Sequence, residues 1–144
     1  MVKCDYKKLN IKNMKTQEKL SLLWIFVMFN YLYCDYLGLL EPGIIKQFSE
    51  GNIEGMEITA GFLLGASILM EIPIAMIILS RFLKYKLNRW LNIIAGLIMI
   101  LAQCGSLFVG KPSINYTFFS VIEVTTLLSI IYIAWRWVNV SKEK

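Results

Sequence analysis

Five polar residues interrupt the long apolar runs of this 144-residue sequence: Asn30, Asp35, Glu71, Gln103 and Glu123. Three are carboxylic acids, and the nearest bases in their runs, Arg81 and Arg136, stand at the run ends. Acids without a basic partner, placed in apolar surroundings, suit two kinds of chemistry. They can hold a proton or a small cationic ligand, or, as one neutral and one ionised carboxyl, they can perform acid/base work on a lipid or isoprenoid. A carboxylate-only metal site would take a hard, oxygen-ligated ion, but no ligand spacing supports one, and no cofactor or metal is expected. Histidine is absent, which removes the commonest metal ligand and general base. No nucleophile motif or phosphate loop is present either, so the sequence leans away from an enzyme.

The elements that must position these residues are transmembrane helices. The chain is 57% apolar and 17% charged, with a mean hydropathy of +0.58, whereas soluble domains average about 45–50% and about 25%. A soluble chain of this size cannot bury so much apolar surface; a bilayer can. A helix crosses a membrane in about 20 residues, and runs at about 20–40, 58–83, 91–109 and 116–138 are long enough. The expected fold is all-α: a transmembrane domain over 20–140 built as a four-helix bundle, preceded by a basic arm at 1–19 and interrupted by an acidic link at 41–57. The first run lacks a small-residue cleavage pattern, so it reads as a span rather than a signal peptide. Cys34 and Cys104 lie in apolar runs and read as small buried hydrophobes. The lipid bilayer is the expected surrounding partner. The net charge of +5 lies between apolar runs rather than on one face, which argues against nucleic acid.

Basic residues give the orientation. Lys3, Lys7, Lys8, Lys12, Lys15 and Lys19 precede the first span; Arg81, Lys84, Lys86 and Arg89 join the second to the third; Arg136, Lys142 and Lys144 end the chain. Only Lys46 and Lys111 fall in the other links. The prediction is a multi-pass protein of the cell membrane with both termini cytoplasmic. Trp24, Trp90, Trp135 and Trp137 fall at the same ends of the spans, where interfacial tryptophans gather. In the external link, Glu41-Pro42-Gly43 ends the first helix, and Ile44, Ile45 and Phe48 suit a short interfacial turn.

At about 1.5 Å per residue, the polar set occupies the outer half of the bundle, with Glu71 deepest, which describes an outward-opening pocket better than a continuous channel. Stripes at helical spacing are expected to face its axis: Ala60, Leu64, Ser67, Glu71 and Ala75; Asn92, Gly96, Met99, Gln103, Ser106 and Gly110; Tyr116, Ser120, Glu123, Leu127 and Ile130. Tyr31 and Asp35 share a face of the first helix, from which Asn30 is displaced by about 140°. The expected site is Asp35 and Glu123 meeting the ligand, Glu71 as the deep titrating acid, and Asn30 and Gln103 as polar support. Gly61 and Gly65 form a GxxxG pair, read as packing within the bundle, with a homo-oligomer as the alternative. A bundle whose polar residues only join helices, a structural or regulatory subunit, is the remaining reading.

Three stretches carry a resemblance: Leu23-Trp24-Ile25-Phe26 with Phe29-Asn30-Tyr31 and Asp35; Met70-Glu71-Ile72-Pro73-Ile74-Ala75-Met76; and Asn88-Arg89-Trp90-Leu91-Asn92. Over residues 20 to 140 the chain resembles a family of small bacterial four-helix integral membrane proteins classed as a domain of unknown function. The resemblance implies the four-helix membrane fold and no activity, ligand or catalytic residue.

Overall fold

A computed structural model of the chain describes residues 14–53, 56–108 and 112–138. The basic residues Lys3, Lys7, Lys8, Lys12, Lys111, Lys142 and Lys144, with Glu54 and Gly55 of the link, lie outside that set.

Four long helices make up the described chain: α1 Thr16–Leu39, α3 Ala60–Phe82, α4 Tyr85–Ser106 and α5 Ile114–Arg136, with a short α2, Ile44–Ser49, in the link. Each of the four is long and apolar enough to cross a membrane, and the protein is a multi-pass, all-α membrane protein. Their ends follow local chemistry. Lys15 N donates to Glu18 Oε2 at 3.2 Å to start α1. Thr59 Oγ1 and Ser113 Oγ accept from Phe62 N and Tyr116 N, both at 3.1 Å, satisfying amides that the first turns of α3 and α5 leave free. After α1, Pro42 cannot extend the helix, and Gly43 turns the chain at φ 88°. Between α2 and α3, Asn52–Ile53 (β1) and Met56–Glu57 (β2) form a minimal antiparallel hairpin.

In packing, α1 lies along α3 and α5, and α5 lies along α4. The two-residue connection Leu83-Lys84 holds α3 and α4 together near their turn, beyond which they meet far less than the other neighbouring pairs. The buried residues of α3, Pro73, Met76 and Ser80, all belong to the half nearest that turn, and residues 60–68 are exposed throughout. The core is Leu20, Trp24 and Val27 from α1, Met76 from α3, Met99 from α4, and Leu127, Ile130 and Ala134 from α5. Gly96 lets α4 approach α5: a Cβ there would stand 2.8 Å from Ile131 Cγ1. We call the end carrying α2 and the α4–α5 connection the loop end, and the opposite end, with the α3–α4 turn, the turn end.

Candidate functional site

Three helices place polar side chains in the half nearest the loop end. On α5, Tyr116, Ser120 and Glu123 succeed one another at i, i+4 and i+7 and lie on one face. From α4, Gln103 Nε2 donates to Ser120 Oγ at 2.8 Å and to the Tyr116 hydroxyl at 3.4 Å. Ser106 Oγ shares a short hydrogen bond with the Tyr116 hydroxyl. Each of these groups has a partner, and together they descend in steps from the loop end.

At the foot of the descent lies Glu123. It is 1% exposed, and neither carboxyl oxygen has a hydrogen-bond partner among the described residues. The Tyr31 hydroxyl, buried on α1, is likewise unpartnered. Tyr31 and Asp35 belong to α1, which packs along α5. Asp35 itself is exposed, one turn closer to the loop end than Tyr31. A buried carboxyl without a donor is costly, because it has lost water and received nothing in exchange. Such a group must be carried neutral or beside a cation.

A family model matches residues 7–142, a stretch that includes all four long helices. The chain belongs to DUF6326, a family of unknown function. Among curated proteins and solved structures, no match is found. Family membership thus supplies the chain's kinship, and the chemistry of this DUF6326 member is read from its own side chains.

Not all the sequence-predicted residues converge. Gln103 and Glu123 are buried on facing helices, and Asp35 stands at the edge of the same region. Asn30 does not join them: half-buried, it donates to its own helix at Phe26 O, 2.8 Å away. Glu71 is the principal correction. The stripe Ala60, Leu64, Ser67, Glu71, Ala75 has the expected spacing but faces the other way, with Glu71 exposed. On a helical wheel Glu71 lies about 170° from the mean direction of Pro73, Met76 and Ser80. The α3 backbone turns those three side chains toward the bundle, so the acid at 71 necessarily points out of it. Cys104 is also exposed, whereas Cys34 is buried.

A second polar cluster, which the spacing of the polar residues alone does not assemble, lies near the turn end. Asn92 Oδ1 accepts from Trp24 Nε1 at 2.7 Å and from Ser80 Oγ at 3.2 Å. Asn92 Nδ2 donates to Asn88 Oδ1 at 2.7 Å and Asn88 O at 2.9 Å, and Asn88 Nδ2 donates to Ser80 O at 2.6 Å. Trp24, Ser80, Asn88 and Asn92 are all 0% exposed, so Trp24 is a core residue rather than an interfacial one. Ser21 extends the cluster, donating to Ile77 O at 2.8 Å and accepting from Arg81 Nε at 3.1 Å. The legible signal was the i, i+4 pair Asn88 and Asn92, at a depth matching Trp24 and Ser80. Between the two clusters the buried side chains Val27, Met99, Leu127 and Ile130 are apolar, and the buried hydroxyl beside them, Thr126, is satisfied within α5 by Ile122 O at 2.7 Å. Two shallow surface grooves run along the exposed side of α5, past Ile114, Phe118 and Val121 and past Leu128 and Tyr132, and neither includes Glu123.

Proposed function

We propose that the protein binds a small cation, or a ligand whose binding is coupled to a proton, at Glu123, approached from the loop end. One observation carries this reading: Glu123 is fully enclosed, yet both carboxyl oxygens lack a donor among the described residues. A purely structural acid in such a place would be expected to hold a hydrogen bond across helices, as Gln103 does with Ser120. In this reading Asp35 is the first carboxyl met on approach. The Tyr31 hydroxyl turns toward whatever Glu123 holds, and Gln103, Ser120 and Tyr116 line the way. The apolar layer of Val27, Met99, Leu127 and Ile130 closes the far side, which favours a binding site over an open channel. Net transport would require that layer to part.

The same reading sets the protein in the cell membrane with both termini cytoplasmic. The support is the excess of Lys and Arg at the turn end and termini over the loop end. The loop end then faces outward, and Glu123 is an intramembrane acid.

The test is infrared spectroscopy of the full-length protein in nanodiscs, titrated between about pH 4 and 10 with Na⁺, K⁺ or tetramethylammonium as the probe cation. The expected result is a protonated-carboxyl band that responds to pH or to one of these cations and is lost in Glu123→Gln. If no Glu123-dependent band responds to either, the proposal fails.

A further inference from the structure

The outward face of α3 has an order that packing inside the chain does not require. Gly61, Leu64, Ile68, Glu71, Ala75 and Ile78 follow one another at steps of 3, 4, 3, 4 and 3. That alternation forms the seam by which one helix packs along another in a left-handed pair. Among the described residues the seam has no partner: Leu64, Ile68 and Ile78 are 62%, 62% and 58% exposed, and α3 is the least buried of the four long helices. Among the described residues, neither glycine of the GxxxG pair serves packing within the bundle, contrary to the sequence expectation. A Cβ at Gly65 would meet nothing within 4 Å, and one at Gly61 only Thr59 Oγ1 at 3.8 Å, an ordinary contact. Gly96, by contrast, is held by Ile131. Gly65, in the helix interior, costs about 1 kcal/mol relative to alanine, and no packing among the described residues offsets it.

The decisive residue is Glu71. It is the twelfth of the 23 residues of α3, so a membrane-spanning α3 holds it at mid-depth. Insertion scales penalise an acid at that level by about 2.5–3.5 kcal/mol, and such residues normally face protein. No base in α3 can reach it: Arg81 lies ten positions away, about 15 Å along the helix, and bonds Ser21 on the opposite face.

We infer that α3 is the interface through which two copies of this chain pair, about a two-fold axis, with Glu71 against Glu71 of the second copy. The chemistry selects a second copy over another apolar helix. A carboxylic acid both donates and accepts, so it is its own complement, and a two-fold axis brings the two acids to one depth. The small residue Ala75, next after Glu71 in the seam, allows the backbones close enough for that bond. A single polar residue in an otherwise apolar seam also sets register. The pairing uses the side of α3 turned away from Glu123, so it is independent of the ligand reading.

Disulfide crosslinking of the full-length protein in liposomes tests this, with Cys4 and Cys104 replaced by Ser. Leu64→Cys, Ile68→Cys and Ile78→Cys are expected to trap a dimer and nothing larger. Leu101→Cys, on the exposed side of α4 and 71% exposed, is expected to remain monomeric. In parallel, energy transfer between labelled copies diluted with lipid gives the dimer constant. Glu71→Gln, whose amide also donates and accepts, is expected to pair like the parent. Glu71→Leu is expected to weaken pairing about five- to thirtyfold. Crosslinking no greater on α3 than at Leu101→Cys would overturn the interface. A Glu71→Leu protein that pairs as tightly as the parent would overturn the role of the acid.

Discussion

Replacing Asn92 by Ala should destabilise the bundle more than any other single polar truncation near the turn end. Its side chain ties three helices: the carbonyl accepts from Trp24 of α1 and Ser80 of α3, and the amide donates within α4 to Asn88. In Asn92→Ala the Trp24 N–H, at a site with 0% exposure, loses its acceptor and gains no water. An orphaned buried donor costs about 1–3 kcal/mol. The Ser80 hydroxyl can rotate to a carbonyl one turn back in α3, so it adds little. The unfilled volume adds about 1 kcal/mol. The expected loss is therefore about 2–4 kcal/mol, discounted toward the lower figure because membrane-embedded hydrogen bonds average near 0.6 kcal/mol in measured cycles.

The assay is reversible unfolding in mixed micelles with increasing dodecyl sulfate, run as a double-mutant cycle with Trp24→Phe. The Phe variant leaves Asn92 Oδ1 the Ser80 donor, so alone it should cost about 1 kcal/mol for the lost bond. The pair should couple by at least about 1 kcal/mol, as expected of directly bonded residues. Asn30→Ala is the reference, because among the described residues Asn30 bonds its own helix alone and should change stability by no more than about 0.5 kcal/mol. If Asn92→Ala costs no more than Asn30→Ala, or the cycle shows no coupling, the Trp24–Asn92 bond does not hold the bundle together.

Gly96→Ala should cost about 1–3 kcal/mol, since the new methyl meets Ile131 Cγ1 at 2.8 Å and forces α4 away from α5; paired Gly96→Ala and Ile131→Ala unfolding curves would show recovery when room is made. Glu123→Leu should stabilise the fold by about 1–3 kcal/mol by removing two unpartnered buried oxygens while abolishing the cation response. A loss of stability in the same unfolding assay would mean that the acid serves the fold. Reporter fusions after Lys144 and within residues 41–57 should be active on the cytoplasmic and external sides respectively, and the reverse pattern would reverse the direction of approach to Glu123.

The helices were legible because a membrane helix must satisfy its own backbone, so a long apolar run has one outcome. Their starts were less so. The helix α1 begins at Thr16 and α4 at Tyr85, ahead of the apolar runs near residues 20 and 91. Hydropathy marks what hydrocarbon will accept, whereas the backbone ladder begins wherever the chain can cap and propagate. In the extra turn of α1, Gln17 Nε2 reaches Leu83 O at 3.1 Å. In that of α4, Tyr85 donates to Trp137 O at 2.7 Å and packs edge-on against its ring. Polar residues flanking a span thus join one helix to another, a use that a scan for apolar length does not register.

The misreading of Glu71 has a more general cause. Spacing gives the period of a helix but not its phase. In a soluble protein water supplies the phase, because the apolar side must turn inward. In a bilayer both sides of a helix can be apolar, and the phase is instead inferred from polar residues, on the premise that they turn toward the bundle. That premise holds for Gln103 and Glu123, which are buried, and fails for Glu71 because the inward side of α3 is claimed by Pro73, Met76 and Ser80. Ser80 must face Asn92 to complete the buried network, and from Ser80 back to Glu71 is nine residues, or two and a half turns. A half-turn remainder puts the two polar residues on opposite sides. Only one of them could therefore face the bundle, and the helix is oriented by the one that has hydrogen-bond partners inside. The other is turned away from the bundle, and that orientation is the ground for the pairing of two copies proposed at α3.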